Sequence, residues 1–454
     1  MAAGMVAVVA EVRVKRCRRK ERRQEAAASR RRSVKAGQTG RRPNTGRRRL
    51  VREEVKKEQE GGRGPLVAQI VAVLFFRLLL NTGRRFVYPF APALSRSFAV
   101  ELTAITSILA TCQTVSLLGL FSGPLADRFG YRTMMRGGLG LLAGGMLLCA
   151  TATGFWWLAV GLVVASLGKI VFDPAIQAFI GKHVPFERRG RVIGLVETAW
   201  AGSTLVAIPA LGVVIERFGM TSAFSLLALL GLVGWLLVGR VFARDDDGGG
   251  GAGRRPALFA ALPRLVAHRP ALGMLLFGFF VSLANDGLFV VYGAWFEQAF
   301  NTGVATLGFS AMAIGTAELL GEAATILLVD RLGAKRAMVL GLCLAMAAYL
   351  LLPLIGRSLP LAMAGLFLVF FCFEFTIVAS FALSTELLPE ARATMMAGFY
   401  AIAGVGRMVG VLLGGGLWQM GGIAAVAGSA ALLTGCGLLA LFWGLHRWRR
   451  PSLP

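Results

Sequence analysis

Charge is scarce in this sequence of 454 residues, because only 16% of the residues are Asp, Glu, Lys or Arg, whereas 56% are hydrophobic. A water-soluble protein of this length needs far more charge to cover its surface, so this composition argues against a soluble globular protein. Cysteine pairs are also missing: the six cysteines stand singly, and no Cys-X-X-Cys or Cys/His cluster occurs. The sequence therefore predicts neither a metal site nor a disulfide framework.

Histidine is rare as well. Its three copies, His183, His268 and His446, fall in hydrophilic connections, so none of them is expected to carry protons inside a membrane. The sequence shows no nucleophile–base pair, and the run that ends at Gly168 and Lys169 lacks the other residues of a phosphate-binding loop. We therefore expect that the protein is not an enzyme and that it needs no cofactor.

Uncharged apolar runs of about 20 residues are abundant, and this length crosses a hydrocarbon core of roughly 30 Å. The runs lack the strict alternation of barrel strands, so they predict helices. We number the predicted segments one to twelve in chain order: 66–92, 101–122, 134–153, 155–180, 193–216, 222–242, 271–295, 304–327, 337–355, 359–384, 394–418 and 422–445. The predicted fold class is an all-α membrane protein with twelve transmembrane helices.

Residues 1–64 differ from the rest, since they hold 21 of the 49 Lys and Arg residues but only 7 of the 24 acidic residues. This composition, with few large apolar side chains, predicts a disordered cytoplasmic extension. Contact with anionic membrane lipid is the physically reasonable role. No nucleic-acid-binding fold is evident, so nucleic acid is not expected as a partner. A translation start assigned too far upstream is an open alternative.

The charges of the connections predict the orientation. The predicted outer connections contain three basic residues, Arg96, Arg217 and Arg357, whereas those on the inner side contain twenty. Basic residues favour the cytoplasmic side, so both termini are expected in the cytoplasm, with the protein in the cell (inner or plasma) membrane. Residues 243–270, which include DDDGGGG, predict a cytoplasmic linker. The linker separates an N-terminal six-helix bundle at 65–242 from a C-terminal six-helix bundle at 271–448.

Two pairs of related stretches indicate a duplicated six-helix unit. The sequence GPLADRFGYRTMMR follows segment two, and ILLVDRLGAKRAMV follows segment eight; both contain D-R-x-G-x-[RK] and are offset by 203 residues. The stretches PFERRGRVIG and PEARATMMAG, which follow segments four and ten, have nearly the same offset. Such self-similarity is typical of transporters built from internal repeats.

The loop after segment two resembles the signature loop of the major facilitator superfamily. The matching residues are Gly123, Asp127, Arg128, Gly130 and Arg132, with an echo at Asp330, Arg331, Gly333 and Lys335. The resemblance implies two pseudo-symmetric six-helix bundles around a central cavity, alternating access, and a gating role for these loops. An ordinary positive loop would explain the arginines alone. Segment five, with AGSTLVAIPALG, resembles in degenerate form a motif of the proton-driven efflux branch.

Ionisable residues inside membrane segments are rare and mark a pathway or a paired structural site. If the resemblance holds, segments one, four, seven and ten line the cavity, and polar residues cluster there. The substrate-cavity candidates are Arg77, Asn81, Arg84, Tyr88, Lys169, Gln177, Asn285, Tyr400 and Arg407. The arginines of segment one slightly favour an anionic or polyhydroxylated substrate.

Glu374 is the first candidate for a proton carrier, because its neighbours are Phe or small apolar residues and desolvation favours its protonated form. A salt bridge to Arg407 is the competing interpretation. Asp173 is the second candidate, although Lys169 one turn away offers it a local ion pair, and Asp286 is the third.

These patterns predict a monomeric secondary transporter that exports a small organic solute and uses the proton gradient as its energy source. Two alternatives stay open. The first is a facilitator or importer of a small metabolite, since nothing in the sequence determines direction. The second is a membrane sensor or scaffold that transports nothing.

Overall fold

The residues described in the computed structural model are helical almost throughout, and no strand occurs among them. They are 63–116, 129–184, 186–242, 265, 267–388, 392–446 and 448. The predicted extension up to residue 62 and nearly all of the predicted linker before residue 267 lie outside this part of the chain. The division into an extension, two bundles and a linker therefore stays a prediction.

The helices correspond to the predicted apolar segments. In chain order they are α1 Arg63–Arg85, α2 Val87–Ser97, α3 Leu102–Ser116, α4 Tyr131–Ala150, α5 Phe155–His183, α6 Phe186–Gly202, α7 Ile208–Phe218, α8 Met220–Val241, α9 Arg269–Phe300, α10 Val304–Leu332, α11 Ala334–Ile355, α12 Leu359–Leu387 and α13 Arg392–Gly444. A π-helical turn at Ser203–Ala207 joins α6 to α7, so these three elements together form segment five. Segment one is made of α1 and α2 and continues to Ser97, beyond its predicted end.

Ten helices of the described residues are long and apolar enough to cross a membrane, by length and composition. The apolar helix Leu102–Val115 is shorter, and α13 contains both segment eleven and segment twelve. The break within α13 lies at Gly421 and Gly422, where Gly422 has φ +57° and ψ −148°. Side chains larger than hydrogen are strained in that conformation, so glycine permits the chain to reverse there.

Large apolar side chains cover the outward faces of the peripheral helices. Leu229 and Leu236 on α8, and Leu350 and Leu354 on α11, are 48–62% exposed. Trp156, at the start of α5, is 78% exposed. Apolar faces of this extent are typical of helices in lipid, and a tryptophan at a helix end is typical of the membrane interface.

The two signature loops share one backbone geometry. Gly130 precedes α4 with φ +78° and ψ +153°, and Gly333 precedes α11 with φ +81° and ψ +140°. These positive φ angles require glycine, and they recur at the offset of 203 residues that the sequence repeat has. The repeat in the sequence therefore corresponds to a repeat in local structure.

The chain from Leu66 onward is one compact unit, and its first half (residues 66–242) contacts its second half (residues 267–446). We call the end with the connections 98–101, 151–154 and 301–303 the predicted outer end. There, α7 meets α10 so closely that a Cβ on Gly212 would lie 3.1 Å from the Cα of Gly308. In a second contact between the halves, α3 meets α13, where Thr106 Oγ1 would lie 2.9 Å from a Cβ on Gly415.

Polar contacts join the halves at the same end. Arg96 of α2 forms an ion pair with Glu297 of α9. The carboxylate of Glu216 accepts a hydrogen bond of 2.5 Å from the backbone N–H of Ala305, in the first turn of α10. Further hydrogen bonds between the halves join Arg85, Trp200 and Thr204 to Glu318, and Thr114 to Met408. The halves are therefore closed against each other at the predicted outer end.

Candidate functional site

Four charged side chains of the first half neutralise one another. Arg77 donates to Glu197, with 2.7 Å between Nη2 and Oε2, and its Nε lies 3.7 Å from Oδ1 of Asp173. Lys169 donates to Asp173 over 2.6 Å, one helical turn away on α5. The two cationic side chains are at most 10% exposed, whereas those of Asp173 and Glu197 are 34% and 43% exposed. These four residues form the first-half wall of the site, and their charges are paired with one another.

Arg85 takes part in a second arrangement, which joins the two halves. Its guanidinium group binds the carboxylate of Glu318 in a bidentate manner, with distances of 2.6 and 3.1 Å. The Trp200 indole lies against the guanidinium group, 4.1 Å from ring centroid to Cζ, and its N–H donates to Glu318 over 3.2 Å. The side chains of Arg85 and Glu318 are 3% and 6% exposed, so the pair is buried.

Arg84 points towards α3, away from Arg85. It donates to Gln113 Oε1, and Gln113 Nε2 donates to the Tyr88 hydroxyl over 2.8 Å. Tyr88 interacts electrostatically with the buried Asp286 carboxyl group on α9. The Tyr88 ring also stacks on Phe289, with 4.2 Å between centroids. Two predicted cavity residues and one predicted proton carrier therefore meet across the two halves.

Three carboxyl groups of the second half lie together where α10 touches α12. A Cβ on Gly321 would lie 2.9 Å from the Cβ of Glu374, so the Glu374 side chain starts against the α10 backbone. Glu318 and Glu322, which flank Gly321 in the sequence, interact electrostatically with Glu374. Of the three, Glu318 alone forms an ion pair within 4.0 Å among the described residues. Glu322 and Glu374 are partly buried and make no such pair.

The competing interpretation of Glu374, a salt bridge to Arg407, is not observed within 4.0 Å in the described part of the chain. Arg407 interacts at longer range with Glu374 and Asp286. Tyr400, on the same helix, is 50% exposed and packs against Phe381. Tyr400 also interacts electrostatically with Arg407 and Glu374.

Two predicted cavity residues have buried amides without partners. Both polar atoms of the Asn81 side chain lack a hydrogen bond within the described structure, and the residue is fully buried. Asn285 Oδ1 is likewise unsatisfied. Unsatisfied buried polar groups cost roughly 1–3 kcal/mol each and call for a partner. The side chain of Gln177, the remaining cavity candidate, lies outside the description.

The family model described as Major Facilitator Superfamily matches residues 73–321 and 274–454. The chain belongs to the major facilitator superfamily. The resemblance of the signature loops is thereby confirmed, as is the prediction that the protein is not an enzyme, because members of this superfamily are transporters. This transporter is a multi-pass membrane protein.

Similar proteins agree with this assignment. The MFS-type transporter YceJ of Bacillus subtilis is 24% identical over 372 residues, covering 79% of this chain and 92% of its own length. The multidrug resistance protein MdtH of Klebsiella pneumoniae is 38% identical over 78 residues, which is 17% of this chain and 19% of MdtH. The crystal structure of a bacterial homologue of the lysosomal transporter Spinster, inward-facing and unoccupied, has a TM-score of 0.68 at 16% identity. It covers 84% of this chain and 96% of the Spinster homologue.

The structure describes only part of the signature loop of this transporter. Gly123, Asp127 and Arg128 lie outside the described residues, and so does the side chain of Asp330. Arg132 Nη2 donates to the carbonyl of Gly239 near the end of α8, over 2.5 Å. In the second loop, Arg331 and Lys335 are exposed. The gating role of both loops stays a prediction.

Several residues of the site were not among the named cavity residues and proton carriers. Arg85, Trp200 and Glu318 form the contact between the halves, and Glu197 and Glu322 complete the two charge clusters. Glu318 and Glu322 carried a usable signal in the sequence, because two carboxylates four residues apart share one face of a membrane helix. Nothing in the sequence indicated the role of Trp200.

Proposed function

We propose that this transporter exports a small organic solute in exchange for protons, by alternating access between two bundles of six membrane-spanning helices. In this proposal Glu374 and Glu322, which lie in a cluster with Glu318, take up and release the protons, and Asp286 and Asp173 are the alternative carriers. Both termini lie in the cytoplasm, the linker at 243–270 lies on the same side, and the protein functions as a monomer in the cell membrane.

The cluster is the observation that carries the proposal. The charges of these carboxylates repel one another in a weakly polar environment, and a proton relieves that repulsion. Glu322 and Glu374 have no cation within ion-pair distance among the described residues to relieve it instead. A carboxyl group in this situation is suited to bind a proton reversibly.

The twelve-helix arrangement is supported by the ten apolar helices, by the shorter apolar α3 and by the glycine break that divides α13. The matching turns at Gly130 and Gly333 support the division into two related bundles. The likeness to MdtH, named a multidrug resistance protein, supports export as the direction.

The arginines of segment one do not act as anion clamps in this proposal. Arg77, Arg84 and Arg85 are each engaged by side chains of the protein. The preference for an anionic substrate, which rested on these three residues, is therefore given up. The unsatisfied amides of Asn81 and Asn285 offer neutral hydrogen-bonding groups to a polar solute instead.

Transport by purified protein in proteoliposomes tests the proposal. A panel of drugs, sugars and organic acids is offered with and without an imposed pH gradient, and we expect gradient-dependent movement of at least one solute. Glu374→Gln should abolish the gradient dependence, whereas Glu101→Gln, which changes an exposed carboxylate, should retain it. Unchanged proton-driven flux in both Glu374→Gln and Glu322→Gln would show that the cluster is not the proton site.

A further inference from the structure

The Glu318 carboxylate receives all its described polar contacts from the other half of the chain. Arg85 donates two hydrogen bonds, of 2.6 and 3.1 Å, and the Trp200 indole N–H donates one of 3.2 Å. Thr204 Oγ1 lies 3.4 Å from Oε2 of the same carboxylate. The second half thus supplies one acceptor group, and the first half supplies every donor that it meets.

The surrounding backbone is shaped for this contact. Thr204 belongs to the π-helical turn Ser203–Ala207, and π-helical turns occur frequently at functional sites. One turn before Glu318, a Cβ on Gly315 would lie 2.6 Å from Thr204 Oγ1 and 2.9 Å from Leu205 Cγ. Glycine at this position therefore permits α10 to approach the turn closely enough for the carboxylate to reach its donors.

The contact lies at the deep end of the seam between α7 and α10. The seam starts at the predicted outer end with Gly212 against Gly308 and continues through Gly315 to Glu318, so three residues of one α10 face follow each other at spacings of seven and three. If the halves separate at the predicted outer end, this face must leave the first half. The Glu318 carboxylate then loses all its donors at once.

The acidic groups near Glu318 in its own half cannot compensate for the loss of its donors. Glu322 on its own helix and Glu374 on α12 are both acidic, so neither can replace Arg85 as a partner. Separation would take the Glu318 carboxylate from its cation and the Arg85 guanidinium group from its anion, and both groups are buried in the closed structure. Breaking a buried ion pair in this way is strongly unfavourable.

We infer that Glu318, held by Arg85, Trp200 and Thr204, is the latch that keeps the predicted outer end closed. The latch is a positioning device, because it acts on the relative position of the halves and needs no contact with solute. It goes beyond the proposed function, since it applies whichever solute or ion the protein moves.

Chemical accessibility of a buried seam residue tests the latch. Thr106 is 2% exposed and lies against Gly415 where α3 meets α13, so it is not part of the latch. Thr106→Cys is introduced after the six native cysteines are replaced, and its reaction rate with a water-soluble maleimide is measured on purified protein in detergent. Glu318→Gln should raise this rate by roughly tenfold or more, because the ion pair is lost. Trp200→Phe keeps the aromatic ring but removes the indole N–H, and it should raise the rate by a smaller factor.

Glu197→Gln is the matched control, because it removes a carboxylate that pairs with an arginine inside the first half. This control should leave the rate unchanged. Rates in Glu318→Gln and Trp200→Phe that equal the control would overturn the latch, and Trp200→Phe alone decides the matter if Glu318→Gln does not fold. Labelling reports closure and not flux. A labelling result against the latch therefore leaves the proposed proton-driven transport untouched, and a negative transport result leaves the latch untouched.

Discussion

Glycines bring helices together in the same manner in both halves of the chain. A Cβ on Gly145 of α4 would lie 2.5 Å from the carbonyl oxygen of Gly161 on α5, and a Cβ on Gly414 of α13 would lie 2.5 Å from that of Gly287 on α9. The charges differ. In the first half Arg77, Lys169, Asp173 and Glu197 pair among themselves, whereas in the second half Glu322 and Glu374 have no cation within 4.0 Å in the described structure.

The difference shows that helix packing and charge have separate roles here. Packing of small residues stabilises each half, as is usual in membranes, where helices cannot gain stability by leaving water. Paired charges make one wall of the site electrically neutral and stable. Unpaired carboxyl groups make the second-half wall, which contains Glu322 and Glu374, responsive to protons. The buried ion pair between Arg85 and Glu318 connects the two walls.

The largest expected effect concerns the packing that the halves share. Gly145→Val and Gly414→Val should each lower thermal stability strongly and to a similar extent, because the new side chain would collide with a facing backbone. Overpacking of this kind costs about 1–3 kcal/mol or more. Thermal unfolding of purified protein, followed by a thiol-independent fluorescence signal, measures the change.

The same helices provide matched controls for this prediction. A Cβ on Gly144 or on Gly416 would meet no atom within 4 Å, so valine at either position should leave the unfolding temperature close to that of the wild type. If valine at Gly145 is harmless while valine at Gly414 is not, the two halves do not share one packing chemistry.

An intermediate effect should separate the two walls by charge. Asp173→Asn leaves Lys169 buried without its anion, and we expect a loss of about 1–3 kcal/mol in stability, reduced from the full cost of a buried pair because Asp173 is 34% exposed. Glu322→Gln removes a carboxylate that no cation holds, so stability should be unchanged or slightly increased. Equal destabilisation by both variants would remove the contrast between the walls. Thermal unfolding of each variant provides the measurement.

The smallest effect is expected at the surface of the predicted outer end. Arg96 pairs with Glu297, but its side chain is 56% exposed, and exposed ion pairs contribute little. Arg96→Gln should therefore change the labelling rate of Thr106→Cys by less than about fivefold. A change as large as that expected for Glu318→Gln would place the closure of the predicted outer end at the surface, and not at the buried latch.

Much of the fold could be predicted because membrane thickness determines the length of each apolar run. Segment six was predicted at 222–242, and α8 is Met220–Val241. Segment one was predicted too short, because α2 ends in Ser95, Arg96 and Ser97, which interrupt the apolar run. The repeat was visible in the loops, where glycine at equivalent positions has equivalent backbone angles.

The site could be predicted less completely, because partners across helices depend on rotation and depth, which one sequence does not reveal. The sequence indicated Arg77, Arg84 and Tyr88 of segment one as cavity candidates. It did not indicate that Arg84 binds Gln113 while the adjacent Arg85, about 100° around the helix, binds Glu318. The competing interpretation of Glu374 paired it with Arg407 of α13, yet the strongest charge interactions of Glu374 are with the carboxylates Glu318 and Glu322 of α10.

The central claim is that the second-half cluster, and not the first-half network, holds a transportable proton. Infrared difference spectroscopy of the purified protein across a pH step tests it directly, because a protonated carboxyl group has its own C=O band. The account predicts a protonated-carboxyl band that changes across the pH step, disappears in Glu374→Gln or Glu322→Gln and persists in Asp173→Asn. A band that persists in both glutamine variants and disappears in Asp173→Asn would contradict it.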